Sequence, residues 1–248
     1  MASMSHDARM PLLLLHGSAD SPRCWSGVIT ALGPGPRATA PPLPPAPAAG
    51  GSAIAQDLSW LHAQVLGLGG AVDLVGHSYG ALLGLRYALQ RPERVRHLGL
   101  CEPIAFHLLQ GHPLRLEIDA LNAAFFGHIA AGRSEAALAG LVDYWNGPGA
   151  FLGLSAAARS RLGRELPRTA SEVAAGRDDQ TAVADLAGLG MPCAVLAGEG
   201  TTAASRAVCE VLAEAVGTSV QIVRGAGHQA PRTHPQAVAD AIGSLLTR

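Results

Sequence analysis

Long apolar runs are missing from this chain. None approaches the ~18 residues that a bilayer-crossing helix needs, so no membrane span is expected. Charge is scarce as well: 15% of residues, with a formal net charge of −1. That balance excludes a basic nucleic-acid-binding face and a polybasic membrane patch. Aromatic residues make up only 4%, and alanine and glycine dominate. Helical periodicity is therefore thin, because alanine suits either face of a helix. Cysteine is limited to Cys24, Cys101, Cys193 and Cys209, without paired or metal-ligand spacing. Reduced, partly buried thiols are the expectation. Residues 1–10 are polar and lack the apolar core of a signal peptide. They predict a short disordered arm and a cytoplasmic protein.

What is present is apolar bulk in short pieces. The 248 residues are 48% apolar, enough for one large α/β domain. Strands are predicted at residues 12–15, 37–40, 72–75, 95–101, 194–197 and 220–223. Helices are predicted at 22–32, with Ser21 as N-cap and Pro22 in the first position, and at 52–66, 81–90, 203–216 and 235–246. The second of these places Ile54, Leu58, Leu61 and Val65 on one face. Near-continuous apolar strands joined by helices predict a parallel sheet covered on both faces. Residues 103–188 interrupt the alternation with helical segments and no clear strand. An insertion at a strand's C-terminal end is placed to lie over a ligand site. The expected organisation is a core of residues 1–102 and 189–248 with a helical lid of residues 103–188. The Pro-rich stretch 33–50 predicts a stiff loop within the domain, since predicted elements flank it closely.

Residues 76–80 read Gly-His-Ser-Tyr-Gly, between a predicted strand and a predicted helix. This is the G-x-S-x-G pattern in its strand–turn–helix context. A sharp turn there projects the Ser78 hydroxyl above the sheet. Gly76 and Gly80 are needed because side chains would clash across the turn. The following helix turns its N-terminus, and so the Tyr79 N–H, toward a developing oxyanion.

Further pieces accompany the elbow: Leu-Leu-His-Gly at 14–17, Pro-Glu-Arg-Val at 92–95, Leu-Ala-Gly-Glu at 196–199 and Gly-Ala-Gly-His at 225–228. On these motifs the chain resembles the α/β-hydrolase fold superfamily over nearly its full length. The resemblance implies a three-layer fold with a mostly parallel sheet of about six strands. Few residues precede the first strand, so the antiparallel hairpin that usually opens this fold is expected to be missing or truncated. It also implies Ser78 as nucleophile, His228 as base, and the backbone N–H groups of Ser18 and Tyr79 as oxyanion donors. His16 and His77 belong to the motifs and are expected to be supporting groups.

In most relatives the orienting carboxylate is an aspartate in Gly-Glu-x-Asp after the strand near residue 196. Here the stretch reads Gly198-Glu199-Gly200-Thr201, and threonine cannot carry the charge. Glu102, just past the strand that follows the elbow helix, is favoured as the substitute. It preserves the order nucleophile, acid, histidine. Glu199 is its rival, and a site without an acid is the third reading. A serine, histidine and carboxylate predict acyl transfer to water through a covalent acyl-enzyme. The expected substrate is a small, mainly apolar carboxylic ester, thioester or lactone, with no metal or organic cofactor implied. Trp25, His107, Tyr144 and Trp145 are candidate pocket residues. Rival readings are a cyclase or lyase on the same scaffold, and a ligand-binding protein. Nothing in the sequence indicates oligomeric state.

Overall fold

The computed structural model describes residues 10–48 and 51–248. The arm expected over residues 1–10 lies outside them but for Met10, as do the last two residues of the Pro-rich stretch. The run Pro-Leu-Leu-Leu-Leu forms β1 (Pro11–Leu15), buried along its whole length. Side chains alternate across a strand. Leu12 and Leu14 accordingly pack with Trp25, Val28 and Ile242 on one face, and Leu13 and Leu15 with Leu61, Leu82 and Leu85 on the other. Burying each leucine contributes about 1.5–3 kcal/mol.

The other strands are β2 (Arg37–Thr39), β3 (Val72–His77), β4 (Val95–Cys101), β5 (Cys193–Gly198) and β6 (Val220–Val223). They form one six-stranded sheet in the order β2-β1-β3-β4-β5-β6. Every pairing is parallel, so no antiparallel strand pair occurs among the described residues. The order reverses between β1 and β3, and ligand crevices form outside strand ends at such a switch.

Helices α1 (Ser26–Leu32) and α9 (Pro235–Leu246) cover one face of the sheet. The other face carries α2 (Ala53–Gly67), α3 (Tyr79–Gln90) and α7 (Ala203–Ala215). The Thr202 side chain caps α7 by accepting the Ser205 N–H at 3.2 Å. The helix expected from Pro22 opens instead as a 3-10 turn, Pro22–Trp25, and Ser21 bonds no helix N–H with its side chain.

Between β4 and β5 lie α4 (Leu114–Ala130), α5 (Ser134–Asn146) and α6 (Ala156–Asp178), and no strand. Phe125, Leu138, Phe151, Leu162 and Leu166 give these helices a small core of their own. The Pro-rich stretch is no plain loop: its residues Arg37–Thr39 pair with β1 as β2, and side-chain bonds hold the part that follows. The Leu43 N–H donates to His16 Nε2 at 3.3 Å, and Gln56 Nε2 donates to the Pro45 carbonyl at 2.9 Å. A further short helix, α8 (Ala230–Thr233), precedes α9.

Candidate active site

The elbow between β3 and α3 is as tight as its glycines require. A Cβ on Gly76 would lie 2.2 Å from the Gly80 carbonyl oxygen, and one on Gly80 would lie 2.4 Å from that of Leu15. Ser78 itself takes φ 55° and ψ −117°, a conformation that costs a non-glycine residue on the order of 1–3 kcal/mol. Only two other described non-glycine residues have positive φ, Ala19 and Glu102. Strain in the described backbone is thus concentrated around one place, the C-terminal edge of the sheet. The loop after β1 runs close by, since a Cβ on Gly17 would come within 2.9 Å of Ser78 Cβ.

Glu102 ends β4 with its side chain fully buried. Its Oε2 lies 2.6 Å from His228 Nδ1 and 2.5 Å from the Thr201 hydroxyl, while Oε1 accepts the Gly198 N–H at 2.7 Å. Burial alone would raise the pKa of this carboxyl. The bond and charge of His228, with the Thr201 and Gly198 donors, more than offset burial and hold it below its ordinary value. A carboxylate so placed fixes the imidazole with the proton on Nδ1, leaving Nε2 as the basic nitrogen.

Thr201, where the resemblance leads one to expect an aspartate, supports the carboxylate of Glu102. Glu199 points elsewhere: its Oε2 accepts the Gly225 N–H at 2.9 Å. Reach explains how a carboxylate at the end of β4 meets the His228 ring. The loop bearing His228 folds back over the end of β5, where the Ala226 carbonyl accepts the Gly200 N–H at 2.8 Å. From there the imidazole meets the end of β4.

Two rings frame His228. His77 Nε2 donates to the His228 carbonyl at 2.8 Å. Burial, aided by the neighbouring His228, lowers the His77 pKa to about 4, so His77 stays neutral near pH 7. Trp145, from α5, stacks on the His228 ring with centroids 4.3 Å apart and planes 23° apart. Phe106 stacks in turn against Trp145 at 5.9 Å. This column restricts rotation of the imidazole and covers it with the helical insert.

Ser78, His228, His77 and the loop Gly17–Asp20 line one cavity of about 490 Å³. Its walls are mostly apolar, with Ile104, Phe106, Ile118, Leu141 and Trp145 among them. Of the four pocket candidates read from sequence, Trp145 lines this cavity and the other three do not. Trp25 is fully buried with Leu12 and Leu14 beneath α1 and α9, because its large ring fills the layer under the sheet. His107 is turned toward Asp179, 3.3 Å away, at the base of the insert. Tyr144 stands one step behind, edge-on to Trp145, and its hydroxyl donates to Glu117 at 2.6 Å.

A buried charge cluster missed by the sequence reading borders Ser18 and Tyr79. The Tyr79 hydroxyl donates to Asp57 Oδ2 at 2.7 Å. Arg168, on α6, grips both Asp57 oxygens and donates from Nε to Glu172 Oε1 at 2.7 Å. The Ser18 side chain faces Glu172. Burial pushes the Glu172 carboxyl up to about 7 against the pull of Arg168 and Ser18. One signal was present in the sequence: Asp57 is an acid four residues before Leu61, on the apolar stripe of α2. The N–H of Tyr79, first residue of α3, has no acceptor within its own helix and is free to face a ligand.

No curated protein matches the chain. Solved structures resemble it closely in fold at low identity. A bromoperoxidase from Bacillus anthracis aligns at 19% identity with a TM-score of 0.75, over 97% of this chain and 92% of the other. An alpha/beta hydrolase from Sphaerobacter thermophilus gives 18% and 0.71, over 96% and 92%. A thermophilic esterase from Thermogutta terrifontis gives 22% and 0.71, over 96% and 89%. Residues 12–241 match the profile of the alpha/beta hydrolase family. With that match spanning nearly the whole sequence, and with the six-stranded sheet between helical layers, the chain belongs to the alpha/beta hydrolase family.

Proposed function

We propose that this protein is a serine hydrolase that cleaves a small, mainly apolar carboxylic ester, or the chemically close thioester or lactone. The observation that carries the reading is the 2.6 Å contact between Glu102 and His228 Nδ1, beside a cavity that also exposes the strained Ser78. Ser78 Oγ attacks the carbonyl carbon as its proton passes to His228 Nε2. The carbonyl oxygen becomes an oxyanion, held by the N–H groups of Ser18 and Tyr79. Collapse of this intermediate expels the alcohol, which takes the proton back from His228. Water then attacks the acyl-enzyme with His228 as base, releasing the acid and restoring Ser78. Glu102 stays ionised and stabilises the imidazolium formed in each half.

The Asp57–Arg168–Glu172 cluster positions the donors. It anchors Tyr79 through its hydroxyl and borders Ser18, so one helix of the insert braces both sides of the oxyanion site. The insert acts as a lid, with Trp145 covering the base. Four buried, unpaired cysteines fit a reducing compartment, and a cytoplasmic location is part of the proposal.

Fluorophosphonate labelling and a chromogenic ester panel, run on wild type and Ser78→Ala, test the reading. Labelling and turnover should both vanish in the variant. Turnover that survives in Ser78→Ala would instead favour a lyase or cyclase, and no labelling of wild type would favour a binding protein.

A further inference from the structure

The cavity wall has a charge bias that an apolar ester does not explain. Arg115, Arg161, Arg177 and Arg232 line it, and Asp20 is the only acidic residue that does so among the described residues. Two of these arginines converge on one loop. Arg161 Nη1 donates to the Ala19 carbonyl at 3.1 Å, and Arg232 Nη2 pairs with the Asp20 carboxylate. That loop is the one carrying Ser18, beside Ser78.

We infer that Arg161 and Arg232 form an anion subsite, so that the substrate is an ester bearing a carboxylate as well as an apolar body. The inference rests on the hydrolase reading above and names its substrate class. Both guanidiniums have donors to spare. Arg161 Nη1 is shared between Ala19 and Glu165, which leaves its Nε and Nη2 without a partner among the described residues. Arg232 bonds through Nη2 alone among the described residues. The competing acid on Arg161 is weak: Glu165 sits one turn along α6, a third exposed, in an i,i+4 surface pair. Such pairs are screened by water and exchange readily. The Arg161 and Arg232 side chains are themselves 43% and 53% exposed, so water reaches both heads, yet a carboxylate seated in the cavity can meet a guanidinium in the bidentate geometry. Arg232 already has a largely buried countercharge in Asp20, so a substrate carboxylate would share this guanidinium through its remaining donors. The loop that both arginines hold runs beside Ser78 at Gly17, so hemiesters of short dicarboxylic acids are the first probes.

The test compares kcat/KM for 4-nitrophenyl hydrogen glutarate with 4-nitrophenyl pentanoate, and for 4-acetoxybenzoate with its methyl ester. The first pair places the charge on the acyl side and the second on the alcohol side. In wild type the charged member of one pair should win by about tenfold or more. Arg161→Gln and Arg232→Gln should each reduce that ratio severalfold, and the double variant should abolish it. Intrinsic ester reactivity cancels when the ratio is compared between variants. Added salt should raise KM for the charged ester alone. Charged-to-neutral ratios that the variants leave unchanged would overturn the subsite while leaving the hydrolase reading intact. Absence of turnover for every ester, with Ser78 unlabelled, would overturn the hydrolase reading instead. The subsite is then tested by calorimetric titration of glutarate and of neutral glutaramide. Glutarate should bind wild type more tightly than glutaramide, and Arg161→Gln should lose the difference. Equal binding of the two would overturn the subsite.

Discussion

Glu102 is the residue on which most turns. It is fully buried, accepts the Gly198 N–H and Thr201 hydroxyl, and lies 2.6 Å from His228. Glu102→Gln keeps the shape and loses the charge. Turnover should fall by roughly 10³–10⁴ with the far-UV spectrum unchanged, whereas Glu199→Gln, which retains an acceptor for Gly225, should stay within severalfold of wild type. Near-native activity in Glu102→Gln would sink its role as the acid. Ser78 supplies a second test. Its backbone at φ 55°, ψ −117° suits glycine. Ser78→Gly should therefore unfold at a higher urea concentration than Ser78→Ala, by the equivalent of about 1 kcal/mol, although neither turns over ester. Equal midpoints would show that the elbow stores no strain.

At the scale of elements, α6 joins the insert to the helical layer on one face of the sheet through charge rather than apolar packing alone. Arg168 and Glu172, one turn apart, face Asp57 on α2. Arg168→Met leaves Asp57 buried without its countercharge and should cost about 3 kcal/mol or more, with the loss read in a urea melt. On the proposed mechanism its effect on catalysis should appear mainly in kcat, because the braced donors would act on the oxyanion rather than on bound ester. A fall confined to KM would count against the brace. Glu172 adds a pH signature. Its folded pKa is raised from 4.5 to about 7, so the folded state binds the extra proton between those values. The resulting stability is fully present below 4.5 and is lost as pH rises through about 7. Glu172→Gln should remove that slope, so the stability difference between variant and wild type shifts toward the variant by up to about 3 kcal/mol from pH 4.5 to 8. A pH-independent difference would refute the raised pKa.

For the whole molecule, the two layers around the sheet bury every cysteine. Cys24 and Cys101 lie on one face, Cys193 and Cys209 on the other. Burial raises all four thiols, Cys193 to about 11. A thiol reagent such as 5,5′-dithiobis(2-nitrobenzoate) should therefore label the native protein only as fast as it unfolds globally. Rapid labelling of any cysteine in the native state would show that one layer opens separately. The described residues contain no helix long and apolar enough to cross a membrane.

The sequence by itself determined the sheet and the elbow. Both are local: four consecutive leucines in β1 must bury on two faces, and Gly-His-Ser-Tyr-Gly between a strand and a helix can turn in few ways. It also left three readings of the acid, Glu102, Glu199 or none, because Thr201 lacks the charge the chemistry needs. Tertiary structure alone set Glu102 against His228, since that contact joins residues 126 positions apart through a loop folded over β5. It likewise sent Trp25 into the core and His107 toward Asp179 while bringing Trp145 onto the imidazole. Aromatic rings serve packing and pocket equally well, and only the path of the helical insert decides between the two. The Asp57–Arg168–Glu172 brace and the arginine pair at Ala19 and Asp20 were hidden for the same reason: long-range charge pairing leaves no periodic trace in a chain.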